Sequence, residues 1–103
     1  MKIMLDWSQK TTGQRIRLLR EYLSLNQSET VKLLGDHGVK IGRSRLSRIE
    51  NSAKPPPSEI VAVLSIVLQT TSDFLLLLTD NPSTAEDYID EVVQVDNGDV
   101  MIR

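Results

Sequence analysis

The chain of 103 residues has no cysteine. That excludes a disulfide framework and a thiolate metal site, and it leaves hydrophobic packing to hold the fold. Histidine occurs once, at His37, and one imidazole with no second ligand nearby reads as a polar helix end, not a metal or catalytic group. A Gly-rich phosphate loop and a paired-carboxylate constellation are also lacking, so no enzymatic activity, catalytic residue, metal site or cofactor is expected. No uninterrupted apolar run reads as a membrane span. The most apolar tract, "IVAVLSIVLQTTSDFLLLL" at 60–78, is broken by the polar cluster from Gln69 to Asp73 and reads as two core helices. The first residues, "MKIMLDWSQK", do not resemble a signal peptide, because Asp6 cuts the apolar run early and no small-residue cleavage site follows. A cytoplasmic protein with no membrane partner is the expectation.

What is present is an uneven charge. The net charge is −2, yet residues 1–79 hold 11 Lys or Arg against 7 Asp or Glu, while residues 80–103 hold 1 against 7. An acidic tail thus masks a basic body. Within residues 40–54, Lys40, Arg43, Arg45, Arg48 and Lys54 face Glu50 alone, a local excess of the kind that attracts phosphate.

Apolar spacing and capping residues predict five helices. Ile16, Leu19 and Leu23 recur at helical spacing behind a Thr11/Gln14 capping box, giving a first helix over 12–24. Asn26 with Glu29 starts a second, which carries Val31 and Leu34 inward and runs to about His37, where Gly38 can take the left-handed C-cap conformation. Gly42 precedes a third over 43–50. Three prolines at 55–57 then impose a stiff connection until Ser58 caps a fourth over 59–68. Thr71 caps a short fifth whose Phe74, Leu75 and Leu78 are expected inward, with Leu76 or Leu77 left over as a hint of a partner surface.

The tail changes period. "VVQVDNGDVMIR" places Asn97-Gly98 between runs rich in β-branched residues, the pattern of a β-hairpin, and puts Val93, Val95, Val100 and Ile102 on one face. An isolated hairpin is marginal in water, so that face needs cover. Dimerisation through it is expected; folding back onto its own bundle is the alternative. "KIMLDW" at 2–7 alternates similarly, with Ile3, Leu5 and Trp7 on one side, and could add a strand. The expected fold class is mostly α, a five-helix bundle with a short C-terminal β-hairpin. Its parts are an N-terminal extension (1–11), a helical domain (12–80) and an acidic segment (81–103).

On a wheel at ~100° per residue, Leu46, Ile49 and Glu50 fall inward, Ser44 and Arg48 outward, and Arg45 and Ser47 flank the outer face. Arg43 sits in the first turn, where the helix dipole disfavours a cation and no carboxylate lies at i+4. Small serines between long guanidinium forks suit the major groove, where arginine grips guanine O6 and N7. A solvated basic face fits these eight residues equally well.

In combination, "RIRLLREYLSLNQSETV", "RSRLSRIEN" and "PSEIVAVLSIVLQTTSDFLL" resemble the lambda Cro and repressor type of helix-turn-helix, the xenobiotic-response-element family, over roughly 13–78. The resemblance implies a repressor-like DNA-binding bundle. It implies that Arg43, Ser44 and Arg48, with Arg45 and Ser47 at the margins, reach base edges. It implies that Gln27 contacts a phosphate and braces the recognition helix, and that Asn51 and Lys54 meet the DNA backbone; Lys40 joins this phosphate-directed set by its charge. It also implies a salt bridge between Arg20 and Glu50. Departures are Thr30 and Val31 where the family has a Leu-Ala pair, a connection about five residues longer ("GDHGVKI") with Ile41 packing inward, and Ser52 where glycine is common.

The expected function is a sequence-specific double-stranded DNA-binding regulator, a repressor acting as a homodimer on a palindromic operator. Two alternatives stay open: an antitoxin-type autoregulator whose acidic tail engages a protein partner, and a protein-interaction module that keeps the bundle without DNA binding.

Overall fold

Helices form where side-chain caps and apolar spacing coincide. In the computed structural model, which describes residues 6–82, they are α1 (Thr12–Tyr22), α2 (Gln27–Asp36), α3 (Arg43–Glu50), α4 (Ser58–Val67) and α5 (Ser72–Leu75), with a 3-10 turn over Trp7–Gln9 ahead of them. The described residues are thus mostly helical and contain no strand, and none of their helices is long and apolar enough to cross a membrane. Both capping boxes form. Thr11 Oγ1 accepts from the Gln14 amide at 3.2 Å while Gln14 Oε1 accepts from the Thr11 amide at 2.9 Å, and Asn26 and Glu29 pair likewise at 2.7 and 2.9 Å. Thr71 Oγ1 caps α5 by accepting from the Phe74 amide at 3.1 Å.

Four of these helices stop in the same way. After α1, α2, α4 and α5 one residue turns left-handed: Ser24 (φ 60°), Gly38 (φ 91°), Gln69 (φ 57°) and Leu77 (φ 65°). In each, two amides return to the last turn. Leu25 donates to Arg20 O, Val39 to Leu34 O, Thr70 to Ser65 O and Leu78 to Asp73 O, at 2.8–3.0 Å, and the preceding amide closes the inner bond. This is the Schellman motif, and glycine is its favoured hinge. Here only α2 uses glycine; the other three accept about 1 kcal/mol of left-handed strain each.

The core joins the inner faces of all five helices. Leu19, Leu34, Leu64, Leu68, Phe74 and Leu75 are wholly buried. Trp7 closes one end, its ring edge-on to Phe74 at 4.9 Å and 83°. Beneath that pair Arg15, 1% exposed, lies 4.4 Å over the Phe74 ring. Its guanidinium donates to the carbonyls of Trp7, Phe74 and Thr79 at 2.6, 2.8 and 2.7 Å and to Asp80 Oδ1 at 2.8 Å. Thr12 Oγ1 adds a buried bond to Leu75 O at 2.7 Å.

Several expectations are corrected. Leu78 is 72% exposed instead of inward: helical periodicity ends at Leu76, and the left-handed Leu77 swings the next side chain off the Phe74 face. Leu76 and Leu77 are both exposed, at 37% and 46%. Ser58 is the first residue of α4 and not its cap; Pro57 occupies the cap without a side-chain bond, as proline's fixed φ suits entry to a helix. α1 ends at Tyr22, two residues short of 24. Trp7 opens the 3-10 turn capped by Asp6, so no strand reaches it. α2 ends at Asp36 with His37 as its cap, and Ile41 packs partly buried against the core, as expected. Residues 3, 5 and 83–103, and with them the hairpin face of Val93, Val95, Val100 and Ile102, lie outside the described residues.

Candidate nucleic-acid interface

α3 is held from three sides, and each constraint aims its outer face. Leu46 and Ile49, 0% and 8% exposed, anchor its inner face in the bundle. Glu50, 4% exposed, turns inward, where Arg20 Nε and Nη2 reach its two oxygens at 2.6 and 3.1 Å, a bidentate pair. The same guanidinium donates to Leu25 O at 2.9 Å. The hydrogen bond to Glu50 raises the Arg20 pKa above its ordinary value, against the lowering effect of burial. Gly13, in the first turn of α1, supplies the third constraint: a Cβ there would lie 2.5 Å from both Ile49 O and Glu50 O. α1 and α3 therefore meet backbone to backbone.

With its one acid withdrawn, the outer face of α3 is cationic. Arg43, Ser44, Arg45 and Arg48 are exposed, and Ser47 is half-buried. Among the described residues no carboxylate pairs with Arg43, Arg45, Arg48, Lys40 or Lys54; the ion pairs that form are Arg15–Asp80, Arg17–Glu21 and Arg20–Glu50. Arg45 and Arg48 share a shallow cavity of about 220 Å³ with Lys54, its far wall made by Pro55, Pro56 and Pro57. Arg45 also borders a second cavity of about 400 Å³, where Lys40, Val39 and Ile41 of the link 38–42 meet Glu59 and Ile60 of α4.

The flanking residues fall into place unequally. Gln27, at the start of α2, donates from Nε2 to Glu50 Oε1 at 3.2 Å. It thus braces α3 through the buried carboxylate while staying half-exposed. Asn51 caps the C-terminus of α3, its side chain donating to Ser47 O, a carbonyl of the last turn, at 2.8 Å. The amide of exposed Lys54 donates to Ser52 Oγ at 3.1 Å, shaping the turn that follows. Lys40 is exposed on the link, on the Arg45 side of α3. His37 sets a ring nitrogen 3.0 Å from Leu33 O at the end of α2.

Two contributors escaped the sequence reading. Gly13 has no turn or left-handed φ to mark it, only the carbonyls that press on it from a helix about 36 residues away. Arg15 looks like Arg17 in sequence, although one is buried and the other exposed. Comparison with protein-family models, curated proteins and solved structures found no match.

Proposed function

We propose that the protein is a sequence-specific double-stranded DNA-binding regulator, with α2 and α3 acting as a helix-turn-helix and α3 as the helix that enters the major groove. The observation that carries this reading is the exposed, acid-free row of Arg43, Ser44, Arg45 and Arg48 on a helix whose own carboxylate is buried against Arg20. Its resemblance to the Cro and repressor type of helix-turn-helix supports the same reading. Arg43, Ser44 and Arg48 would meet base edges, with Arg45 beside them. Lys40, Asn51, Lys54 and the free edge of Gln27 would meet phosphates, fixing register without reading sequence. As a two-fold homodimer it would place two copies of α3 in successive major grooves, about 34 Å apart, on a palindromic site. Repression then follows by occupying a promoter.

Selection of bound duplexes from a random pool, followed by fluorescence anisotropy at several salt concentrations, tests this. The expected result is an enriched palindrome whose affinity falls linearly with salt on logarithmic axes. Arg43→Ala with Arg48→Ala should lower affinity for that site at least 100-fold, at about 1–3 kcal/mol per lost bidentate contact. If no duplex is enriched and no salt-dependent binding occurs, the proposal fails. A protein partner that ignores the double substitution would then mark a protein-interaction module.

A further inference from the structure

The link between α2 and α3 leaves more space beneath it than a connection needs. It is pinned at both ends: the Val39 amide donates to Leu34 O at 2.9 Å, and Gly42 O accepts from the Leu46 amide at 3.1 Å. Between these points the link and α4 leave the cavity of about 400 Å³, within the ~300–1,000 Å³ typical of small-molecule sites. One wall is the stretch 37–41, part of the longer connection that sets this chain apart from the family it resembles. The walls divide by chemistry. Val39, Ile41 and Val63 pack against the core yet stay half-buried, and with Ile60 they make an aliphatic floor. Lys40 borders the space from the link, Arg45 from α3 and Glu59 from the first turn of α4.

Charge narrows what fits there. Among the described residues neither Lys40 nor Arg45 has a carboxylate partner, so even the acid that shares their cavity leaves both charges unneutralised. His37 also lines the space, but a nitrogen of its ring already lies 3.0 Å from Leu33 O. Two cations beside an aliphatic floor are complementary to a molecule that joins a carboxylate to a branched aliphatic body. The carboxylate takes the fork of Arg45 and the ammonium of Lys40. The body covers apolar surface that otherwise faces water.

We infer that this cavity is an effector site for a small aliphatic carboxylate. Lys40 and Arg45 are also cations that the functional proposal sets against DNA, so the same charges serve two anions in competition. A ligand bound there withdraws both from the duplex and lowers DNA affinity, and DNA lowers the ligand's affinity by the same factor. The effect on DNA rests on the functional proposal; the binding of the ligand does not.

Calorimetric titration of the full chain with isocaproate, with its uncharged amide and with leucine, which adds an α-ammonium group to the same skeleton, tests the site. At least one of the two acids should bind saturably with a dissociation constant below about 1 mM, and the amide at least tenfold more weakly than isocaproate where isocaproate binds. Val63→Phe, on α4 and outside the proposed DNA contacts, fills the cavity and should abolish ligand binding while leaving DNA affinity without ligand within about twofold of wild type. Glu59→Gln separates the two sources of the carboxylate. A zwitterionic amino acid loses at least about fivefold with the carboxylate that held its ammonium, whereas a plain acid, relieved of a like charge, is held no less tightly. With the selected duplex, saturating ligand should lower affinity and flatten the logarithmic salt slope by about one to two, the share of two cations. No saturable binding of either acid up to about 10 mM overturns the inference, as does an amide that binds as well as its acid. Binding that survives Val63→Phe places the ligand elsewhere and overturns it too; if that variant does not fold, the comparison of acid with amide decides. A bound ligand that leaves duplex affinity unchanged overturns the effector role. If no duplex is enriched but the acid still binds and Val63→Phe removes it, the functional proposal fails and the ligand site stands.

Discussion

Two residues decide how α3 is presented, and neither is on its outer face. Glu50 balances Arg20 in a pair whose side chains are 2% and 10% exposed. Removing one partner strands the other's charge away from water. Glu50→Ala is therefore expected to cost about 3–5 kcal/mol in urea unfolding, whereas replacing both residues by apolar side chains of similar volume should recover most of that loss. Because the Arg20 pKa is raised in the folded chain, chiefly by the hydrogen bond to Glu50, its contribution is complete from neutral pH up to the unfolded guanidinium's own pKa. It fades only as pH climbs through the folded value, so stability between pH 5 and 9 should not vary on its account. Gly13→Ala has no pocket to enter: the new methyl meets two main-chain oxygens at 2.5 Å, and a backbone must move. A loss of about 1–3 kcal/mol is expected, with chemical-shift changes concentrated in the last turn of α3. The Arg20–Glu50 pair was legible beforehand because the wheel turns Glu50 inward and the family resemblance supplies its partner. Gly13 was not, because close approach between helices leaves no trace in local spacing.

Helix extents were readable to within two residues, but the way most of the helices end was not. A start is announced by a side chain three residues from the amide it caps, so Thr11, Asn26 and Thr71 could be found by local inspection. An end in a Schellman motif needs one left-handed residue, and sequence reveals it only when that residue is glycine. Gly38 was therefore visible, while Ser24, Gln69 and Leu77 were hidden behind ordinary side chains. These non-glycine hinges carry removable strain. Gln69→Gly, at an exposed site with φ 57°, should raise stability by up to about 0.5 kcal/mol by chemical denaturation, the relief of strain outweighing glycine's extra unfolded-state entropy. The same reasoning explains Leu78. Counting i+4 from Phe74 assumes a continuing helix, and the hinge at Leu77 ends it.

At the scale of the whole molecule, charge is sorted by face. The arginines of α3 lie on one surface with no carboxylate partner among the described residues, the neutral leucines lie on the corner after α5, and Glu29, Glu50 and Asp80 are engaged in a cap and two ion pairs. The bundle was legible as a count and order of helices because period and caps agree at each one. The buried arginine was not, because what chooses Arg15 over Arg17 is a set of carbonyls 59–64 residues away along the chain. That choice has a consequence for how the body opens. One guanidinium holds both the segment entering α1 and the segment leaving α5, so releasing either end strips partners from a charge that has no water to turn to. The two ends should therefore open as a single cooperative unit instead of fraying separately. In native-state hydrogen exchange the amides of Arg15 and Leu75 would share one opening free energy. Arg15→Met should split that shared value into two, leaving α5 the more quickly exchanging of the pair.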